Sequence, residues 1–239
     1  EHPRETQRPA PSVFAACAGS PGAASRPIGL KSFSCQMCRR PKLYANQAPP
    51  GDPSRTFTRD RMNTYIAFFR AINVGGKNPL PMKSLVAILE GMGAHNVKTY
   101  IQSGNAVFQS ATNNPAVLSS QLTGEIKKQH GFEPLTLILS LEALRKACAN
   151  NPFPEAEADP RSLHLGFLAA KPLLPDLVKL SSLKKANERF HLGDGVFYLH
   201  APEGVGKSKL AASAEKLLGV PMTDRNWRTV CKVMALAAT

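Results

Sequence analysis

Residues 65–72 constrain the fold most, because this stretch is apolar on both faces and rich in aromatic side chains. A short run of this kind, followed by glycines and prolines, is typical of a strand at the centre of a sheet that is covered on both sides. The run leads directly into a polar loop at residues 73–78, which contains two adjacent glycines and a lysine. The sequence therefore predicts a buried strand that delivers a polar loop to the surface.

The elements predicted after this strand follow a recognisable order. A helical pattern begins after Pro81, two short strands flank a turn at residues 103–105, and a second helix begins at Pro115 with Asn114 as its cap. Residues 134–139 read as another strand, and residues 141–149 as a further helix. The order strand, helix, strand, strand, helix, strand is the split βαβ pattern of ferredoxin-like domains.

The second half of the sequence repeats part of this scheme. It contains a strand at 163–168, a helix at 175–183, a hairpin joining 189–192 to 196–199, a helix at 208–218 and a closing helix after residue 226. We therefore predict an α+β fold. A ferredoxin-like βαββαβ subdomain spans residues 62–150, a linker spans 151–160, and a second, related α+β subdomain spans 161–239.

Residues 1–61 differ from the rest of the chain. They hold 9 of the 20 prolines and show neither helical nor strand periodicity, so we expect this segment to be disordered. Two origins stay open: a translated upstream sequence with the native start at Met62, or an organelle transit peptide.

Composition excludes some classes of protein. No apolar run approaches the ~18 residues of a membrane span, so we expect a cytoplasmic protein without a membrane partner. The odd number of cysteines, 5, fits a reducing compartment. Cys35 and Cys38 have half the spacing of a zinc knuckle but no second pair follows, and we expect neither a metal nor a cofactor.

Residues 201–208 match a relaxed phosphate-binding loop between a predicted strand and a predicted helix. Pro202 removes one of the amides that would hold a phosphate, and no later strand ends in an aspartate for magnesium. The plainer interpretation is a surface loop in which Ser208 caps the following helix.

The loop after the first strand is the leading candidate for a binding site. Adjacent glycines allow close approach of a ligand, and successive amides beside basic side chains form a concavity that attracts anions. The residues proposed for this role are Arg70, Asn73, Gly75, Gly76 and Lys77. A tight turn before a helix would explain the same glycines without a ligand.

Two further loops could contribute polar groups. The turn Ser103, Gly104 and Asn105 has ligand-binding chemistry, although a hairpin asks for the same residues. The stretch Arg225, Asn226, Trp227 places an arginine beside a helix N-terminus, which favours anions. The alternative assigns Asn226 to the cap, Trp227 to the core and Arg225 to solvent.

These loops hold no acid, base or nucleophile arrangement that identifies a reaction, which favours binding over catalysis. We expect a small anionic or nucleotide-like ligand. One alternative is an enzyme acting on a phosphorylated small molecule through Lys77, Ser103 or Asp224. Another is a nucleic-acid or protein interaction module that uses the basic pairs at residues 127–128 and 184–185, although no aromatic residues accompany them. The oligomeric state stays open.

Four segments in this order, YIAFFRAINVGGKNPLPM, NVKTYIQSGNAVF, GVGKSKL and TDRNWRTVCKV, resemble the domain of unknown function 1697 family over residues 62–236. The resemblance implies an α+β protein with a ferredoxin-like first subdomain and a related second one, and it implies no reaction. It also implies that the family's recurring polar positions fall on Arg70, Asn73, Gly75, Gly76, Ser103, Gly104, Asn105, Arg225, Asn226, Trp227 and Thr229. The family often has glycine where this chain has Ala71, and residues 1–61 have no counterpart in it.

Overall fold

The structure is a computed structural model that describes residues 62–238, which lie within one compact unit, Ser54–Thr239. The expectations of disorder and of a separate origin for residues 1–61 lie outside the described residues. The predicted subdomain limits at residues 150 and 161 stay a prediction.

Eight strands and six α-helices form in the described part of the chain. The strands are β1 (Asn63–Phe69), β2 (His95–Thr99), β3 (Asn105–Ser110), β4 (Thr136–Ser140), β5 (Leu163–Leu168), β6 (Arg189–Leu192), β7 (Val196–His200) and β8 (Met222–Asn226). The helices are α1 (Met82–Gly91), α2 (Pro115–His130), α3 (Leu141–Ala149), α4 (Leu177–Leu183), α5 (Lys209–Leu218) and α6 (Trp227–Ala238).

The first four strands form an antiparallel sheet in the order β2-β3-β1-β4. This order, with α1 and α2 as the two crossovers, confirms the ferredoxin-like prediction. β1 lies between β3 and β4, as expected of a buried apolar run. It ends at Phe69 rather than Ile72, because Ala71 has a φ of 57°, which takes the backbone out of the extended region.

The last four strands form a second antiparallel sheet in the order β6-β7-β5-β8. Its topology is that of the first sheet, so the prediction of a related second α+β part is confirmed. The sequence analysis missed β8, because its sequence MTDRN is mostly polar and does not show the alternation of apolar and polar residues that is typical of a strand. The repeated order of elements was the available signal, since the first half has a fourth strand at this point.

The two repeats match at the level of individual backbone hydrogen bonds. In each repeat, the end of the first strand bonds to a turn glycine and to the residue before the fourth strand. These bonds are Phe69 N to Gly104 O (3.0 Å), Arg70 N to Leu135 O (2.9 Å), Leu168 N to Gly195 O (3.0 Å) and Ala169 N to Pro221 O (2.9 Å). Arg70 and Ala169 therefore occupy equivalent positions, as do Phe68 and Phe167.

Three apolar clusters stabilise the fold. One lies between the first sheet, α1 and α2, and another between the second sheet, α4 and α5. The third joins the two sheets through α3, α6 and the inner residues of β1 and β5. At its centre, Phe68 and Phe167 stack with ring centroids 5.0 Å apart, a contact that adds about 0.5–1.5 kcal/mol to their burial.

The last helix of each repeat contacts the sheet of the other repeat. From the second sheet, Tyr198 donates its hydroxyl hydrogen to the Ala147 carbonyl of α3 at 2.8 Å. In the opposite direction, Lys98 of β2 donates to the Leu236 carbonyl of α6 at 3.4 Å. The two sheets are therefore joined by packing in both directions.

Helix starts follow the capping residues that the sequence shows. Asn114 accepts hydrogen bonds from the amides of Ala116 and Val117, which confirms its predicted role as the cap of α2. Ser208 likewise accepts from the Ala211 amide, at 3.0 Å, and caps α5. The prediction that Ser208, at the end of the loop 201–208, caps the following helix is thus confirmed.

The predicted linker contains ordered structure. Pro154–Ala158 forms a 3-10 helix. Phe153, which precedes this helix, and Ala156 within it are buried in the cluster that joins the two sheets. The prolines and acids of this stretch had masked its apolar side chains.

Gly104 has no room for a side chain in this fold. A Cβ on Gly104 would lie 2.6 Å from Ile72 Cδ1 and 2.7 Å from Phe69 Cβ, and the residue has a φ of +86°. Gly131 has a similar φ, +80°, but no atom within 4 Å of such a Cβ. Comparing alanine substitutions at Gly104 and Gly131 therefore separates the cost of backbone strain from the cost of steric conflict.

We predict that Gly131→Ala lowers the free energy of unfolding by about 1 kcal/mol, the cost of a left-handed alanine. Gly104→Ala should lower it by about 2–4 kcal/mol, because overpacking of buried neighbours costs a further ~1–3 kcal/mol. Urea denaturation of both variants measures the difference. Equal losses would show that the neighbours of Gly104 yield freely.

Candidate functional site

The loop at residues 73–78, called the glycine hairpin below, is a tight turn. Lys77 donates its amide hydrogen to the Val74 carbonyl at 3.1 Å, and the two residues form a β-bridge. Gly75 and Gly76 between them have φ values of 57° and 72°. Two positive φ angles at the centre of a turn are the mark of type I′, which asks for glycine. The turn alone therefore accounts for both glycines.

Two asparagines brace this hairpin. Asn73 donates from Nδ2 to the carbonyls of Leu80 and Gln102, both at 2.8 Å, and its Oδ1 accepts from the Leu80 amide at 2.7 Å. Asn78 donates from Nδ2 to the Ala71 carbonyl at 3.0 Å. The bond to Gln102 brings the glycine hairpin against the turn between β2 and β3, so these two predicted loops do meet.

Backbone strain surrounds the same contact. Ala71 and Ile101 have φ values of 57° and 51°, in the left-handed region that non-glycine residues rarely adopt. Ile101 is β-branched and its side chain is half exposed, so burial does not offset the strain there. A glycine in place of Ala71 would relieve the backbone strain at that position.

Arg225 joins the second repeat to these loops. Its Nε donates to Asn105 Oδ1 at 2.7 Å, and its Nη2 donates to the carbonyls of Phe69 (2.6 Å) and Gly104 (3.2 Å). With the bond from Nη1 to the Asp224 carbonyl, four of the five guanidinium N–H groups face protein oxygens. The alternative that places Arg225 in solvent is therefore wrong.

The Arg225 guanidinium also lies over an aromatic ring, with Cζ 5.1 Å from the centroid of Phe68. Burial lowers the pKa of Arg225 to about 10, against the attraction of the neighbouring Asp224. The side chain thus stays charged at neutral pH. Its role in the fold is to fix the end of β1 and the start of β3 relative to β8.

Arg70 and Lys77 supply the other positive charges of the site. Arg70 forms an ion pair with Glu215 of α5 at 2.6 Å, and both side chains are partly exposed. Lys77 forms no ion pair or hydrogen bond through its side chain with residues 62–238. The amides of Gly75 and Gly76 likewise have no hydrogen-bond partner in that range.

The remaining predicted site residues divide into two groups. Ser103 is exposed at the turn beside Gln102, so it lies near the glycine hairpin. Asn105 is buried and holds Arg225. Asn226 caps α6 by accepting from the Thr229 amide at 2.9 Å, and Trp227 is buried in the cluster between the sheets, as the alternative interpretation predicted.

Comparison with known proteins agrees with this architecture. The profile of the family "Protein of unknown function (DUF1697)" matches residues 62–198. The chain belongs to the DUF1697 family. A solved structure of the conserved bacterial protein SP0830 from Streptococcus pneumoniae is similar, with a TM-score of 0.60 and 27% sequence identity. The match covers 74% of this chain and 99% of that one. No curated protein matches.

The other candidate sites in the sequence of this DUF1697 protein have less structural support. Three of its basic side chains on outer surfaces are neutralised by carboxylates, in the pairs Lys127–Glu133, Lys128–Glu125 and Lys185–Glu203. Within residues 62–238, no three His, Cys, Asp or Glu side chains are grouped as metal ligands would be. None of the helices in that range has the length and apolar character needed to cross a membrane.

The sequence analysis missed a pair formed by a buried histidine and a partly exposed carboxylate. His164 of β5 places Nδ1 2.7 Å from Asp224 Oδ2, and its Nε2 lies 3.0 Å from the Arg161 carbonyl. Both partners are acceptors, which suits a doubly protonated ring. Burial opposes protonation, but the hydrogen bond and charge of Asp224, with the Arg161 carbonyl, outweigh it and raise the pKa of His164.

The raised pKa links stability to pH. The protonated pair stabilises the folded state fully below the ordinary histidine pKa of about 6.5, and this contribution is lost as pH rises through the raised value. His164→Asn should therefore reduce the free energy of unfolding more at about pH 5.5 than at about pH 8.5. Urea titrations at the two pH values measure it, with His130→Asn on α2 as the control.

A cost of His164→Asn that is equal at both pH values would contradict a charged pair. Asp224→Asn provides a second check, because it removes the carboxylate and should abolish the same pH dependence.

Proposed function

We propose that this protein binds a small anionic ligand, such as a phosphate ester or a nucleotide, at the glycine hairpin. The observation that supports this most is the group of two successive unpaired amides, at Gly75 and Gly76, beside Lys77, which has no ion pair within residues 62–238. Successive amides next to a cation form a concavity that suits an anion.

The surface around these amides is open. A Cβ on either Gly75 or Gly76 would meet no atom within 4 Å, so a ligand can approach the backbone closely. The turn explains why glycines stand here, and the absence of side chains leaves their amides accessible. A structural turn and a binding loop are compatible in this position.

The hairpin is held in one conformation before any ligand arrives. Asn73 uses its amide group for three hydrogen bonds, and Ala71 and Ile101 hold left-handed backbone at a cost of about 1 kcal/mol or more each. Strain of this kind is concentrated at functional sites, and a preorganised loop loses less entropy on binding. Arg225 acts as a positioning residue in this proposal.

Two neighbouring groups would complete the site. Arg70 is partly exposed, and an incoming anion would compete with Glu215 for its guanidinium. The exposed Ser103 hydroxyl lies beside Gln102, which the hairpin contacts through Asn73. An arginine favours phosphate and carboxylate groups through its planar fork of donors.

We propose binding rather than catalysis. Asp224, the carboxylate considered for an enzymatic role, is committed to His164 at 2.7 Å. Among residues 62–238 both cysteines are free, Cys231 being exposed and Cys148 partly buried. Free thiols support our placement of the protein in the cytoplasm, a reducing compartment.

A thermal-shift screen of the full chain against inorganic phosphate, nucleotides and sugar phosphates tests the proposal. A ligand present at about 100 times its dissociation constant adds about 2.7 kcal/mol of stability. We expect at least one anion to raise the melting temperature, and Lys77→Glu to abolish the shift. The variant itself should melt as the parent does, because Lys77 is exposed.

The matched control is Lys232→Glu on α6, which makes the same charge change at another exposed lysine without an ion pair in the described residues. It should keep the ligand-induced shift. The proposal fails if no anion produces a shift, or if Lys77→Glu and Lys232→Glu behave alike.

A further inference from the structure

The loop between β5 and α4, with the start of α4, holds large apolar side chains in solvent. Leu173 and Leu174 are 91% and 93% exposed, Val178 is 84% exposed and Leu177 is 40% exposed. We call these four residues the leucine tip. Exposed apolar residues that occur singly need no explanation, but a contiguous group of this kind marks an interaction site.

The exposure is built into the fold. The Asp176 amide donates to the Leu217 carbonyl of α5 at 2.9 Å, and Asp176 Oδ1 caps α4 by accepting from the Lys179 amide at 2.8 Å. Pro172 and Pro175 on either side of the two leucines restrict the backbone further. The loop thus presents the leucines from an anchored base.

Positive charge surrounds the tip. Residues 169–187 contain four lysines against one carboxylate, Asp176, whose side chain caps α4. Lys185 pairs with Glu203, and Lys171 lies near enough to Asp194 to help lower the pKa of that carboxyl. Lys171, Lys179 and Lys184 are exposed and form no salt bridge within residues 62–238. Apolar side chains flanked by lysines suit a surface that offers both an apolar interior and negative charge.

We propose that the leucine tip docks this protein on an anionic lipid surface. The leucines and Val178 enter the boundary between headgroups and acyl chains, while the lysines contact anionic headgroups. A stable protein partner fits less well, since such interfaces bury about 800 Å² on each side and four side chains supply only part of that. Docking of this kind needs no membrane-spanning helix. It departs from the expectation of no membrane partner, which rested on the lack of a spanning segment.

The proposal is independent of the anion site. Arg70 contacts α5 through Glu215, and the loop that carries the leucine tip contacts it through the Asp176–Leu217 bond, but no hydrogen bond joins the two loops within residues 62–238. Substitutions in the tip leave Lys77 and the glycine hairpin unchanged. Success or failure of one proposal therefore does not decide the other.

Co-sedimentation of the full chain with vesicles tests the docking. We expect binding to vesicles of phosphatidylcholine with phosphatidylserine, weaker binding to phosphatidylcholine alone, and loss of binding as salt screens the lysines. The double variant Leu173→Glu, Leu174→Glu should have an affinity for these vesicles that is lower by about tenfold or more. Val117→Glu, which changes another exposed apolar residue, on α2, is the matched control and should bind as the parent does.

Lys171→Glu with Lys179→Glu should also weaken binding and flatten its dependence on salt. The proposal is overturned if anionic vesicles do not bind the protein, or if the leucine and Val117 variants bind equally. Concentration-dependent dimers in analytical ultracentrifugation that the leucine variant abolishes would overturn it as well, since the tip would then be covered by a second copy. Thermal melts confirm that these surface variants remain folded.

Discussion

The bonds of the Arg225 guanidinium fix the geometry on which the candidate site depends. From β8, the side chain reaches two carbonyls and one amide oxygen at the edge between β1 and β3, and its plane covers the ring of Phe68. Arg225 gives the Phe69 carbonyl a partner, and the Gly104 carbonyl accepts from Arg225 as well as from the Phe69 amide. A buried carbonyl without a partner is costly. The loops that leave β1 and enter β3 are thereby held by a residue from the other repeat.

The duplicated architecture explains why one side chain can do this. The two repeats place equivalent strands, β1 and β5, face to face, so Phe68 stacks on its counterpart Phe167. The loops that follow these strands then diverge: one forms the glycine hairpin and the other the leucine tip. A common scaffold thus presents two surfaces of different chemistry, for which we propose an anion in solution and a lipid surface as the respective ligands.

Much of the fold could be predicted from local signals. Helix caps at Asn114 and Ser208 and the apolar run of β1 depend on neighbours within a few residues, so the sequence shows them directly. β8 was missed because Asp224 and Arg225 are partners of residues far away in the chain, and their charges made the strand look like a loop. His164 and Asp224 are 60 residues apart, a pairing that no spacing rule indicates.

The sequence indicated which loops could form the candidate site, but it did not indicate the contacts between their residues. Two of the loops that the sequence pointed to do meet, since the glycine hairpin contacts the turn before β3. The sequence did not show that Arg225 and Asn105 serve each other, since 120 residues separate them. The tight turn that the sequence offered as the plainer explanation of Gly75 and Gly76 is a type I′ turn.

A double-mutant cycle between Arg225 and Asn105, with Arg225→Met and Asn105→Ala measured by urea denaturation, tests the central claim most directly. A hydrogen bond to a charged group contributes about 1.5–3 kcal/mol, and we predict a coupling energy in that range. A coupling below about 0.5 kcal/mol would mean that the two side chains act independently. The loops would then be held without Arg225, contrary to this account.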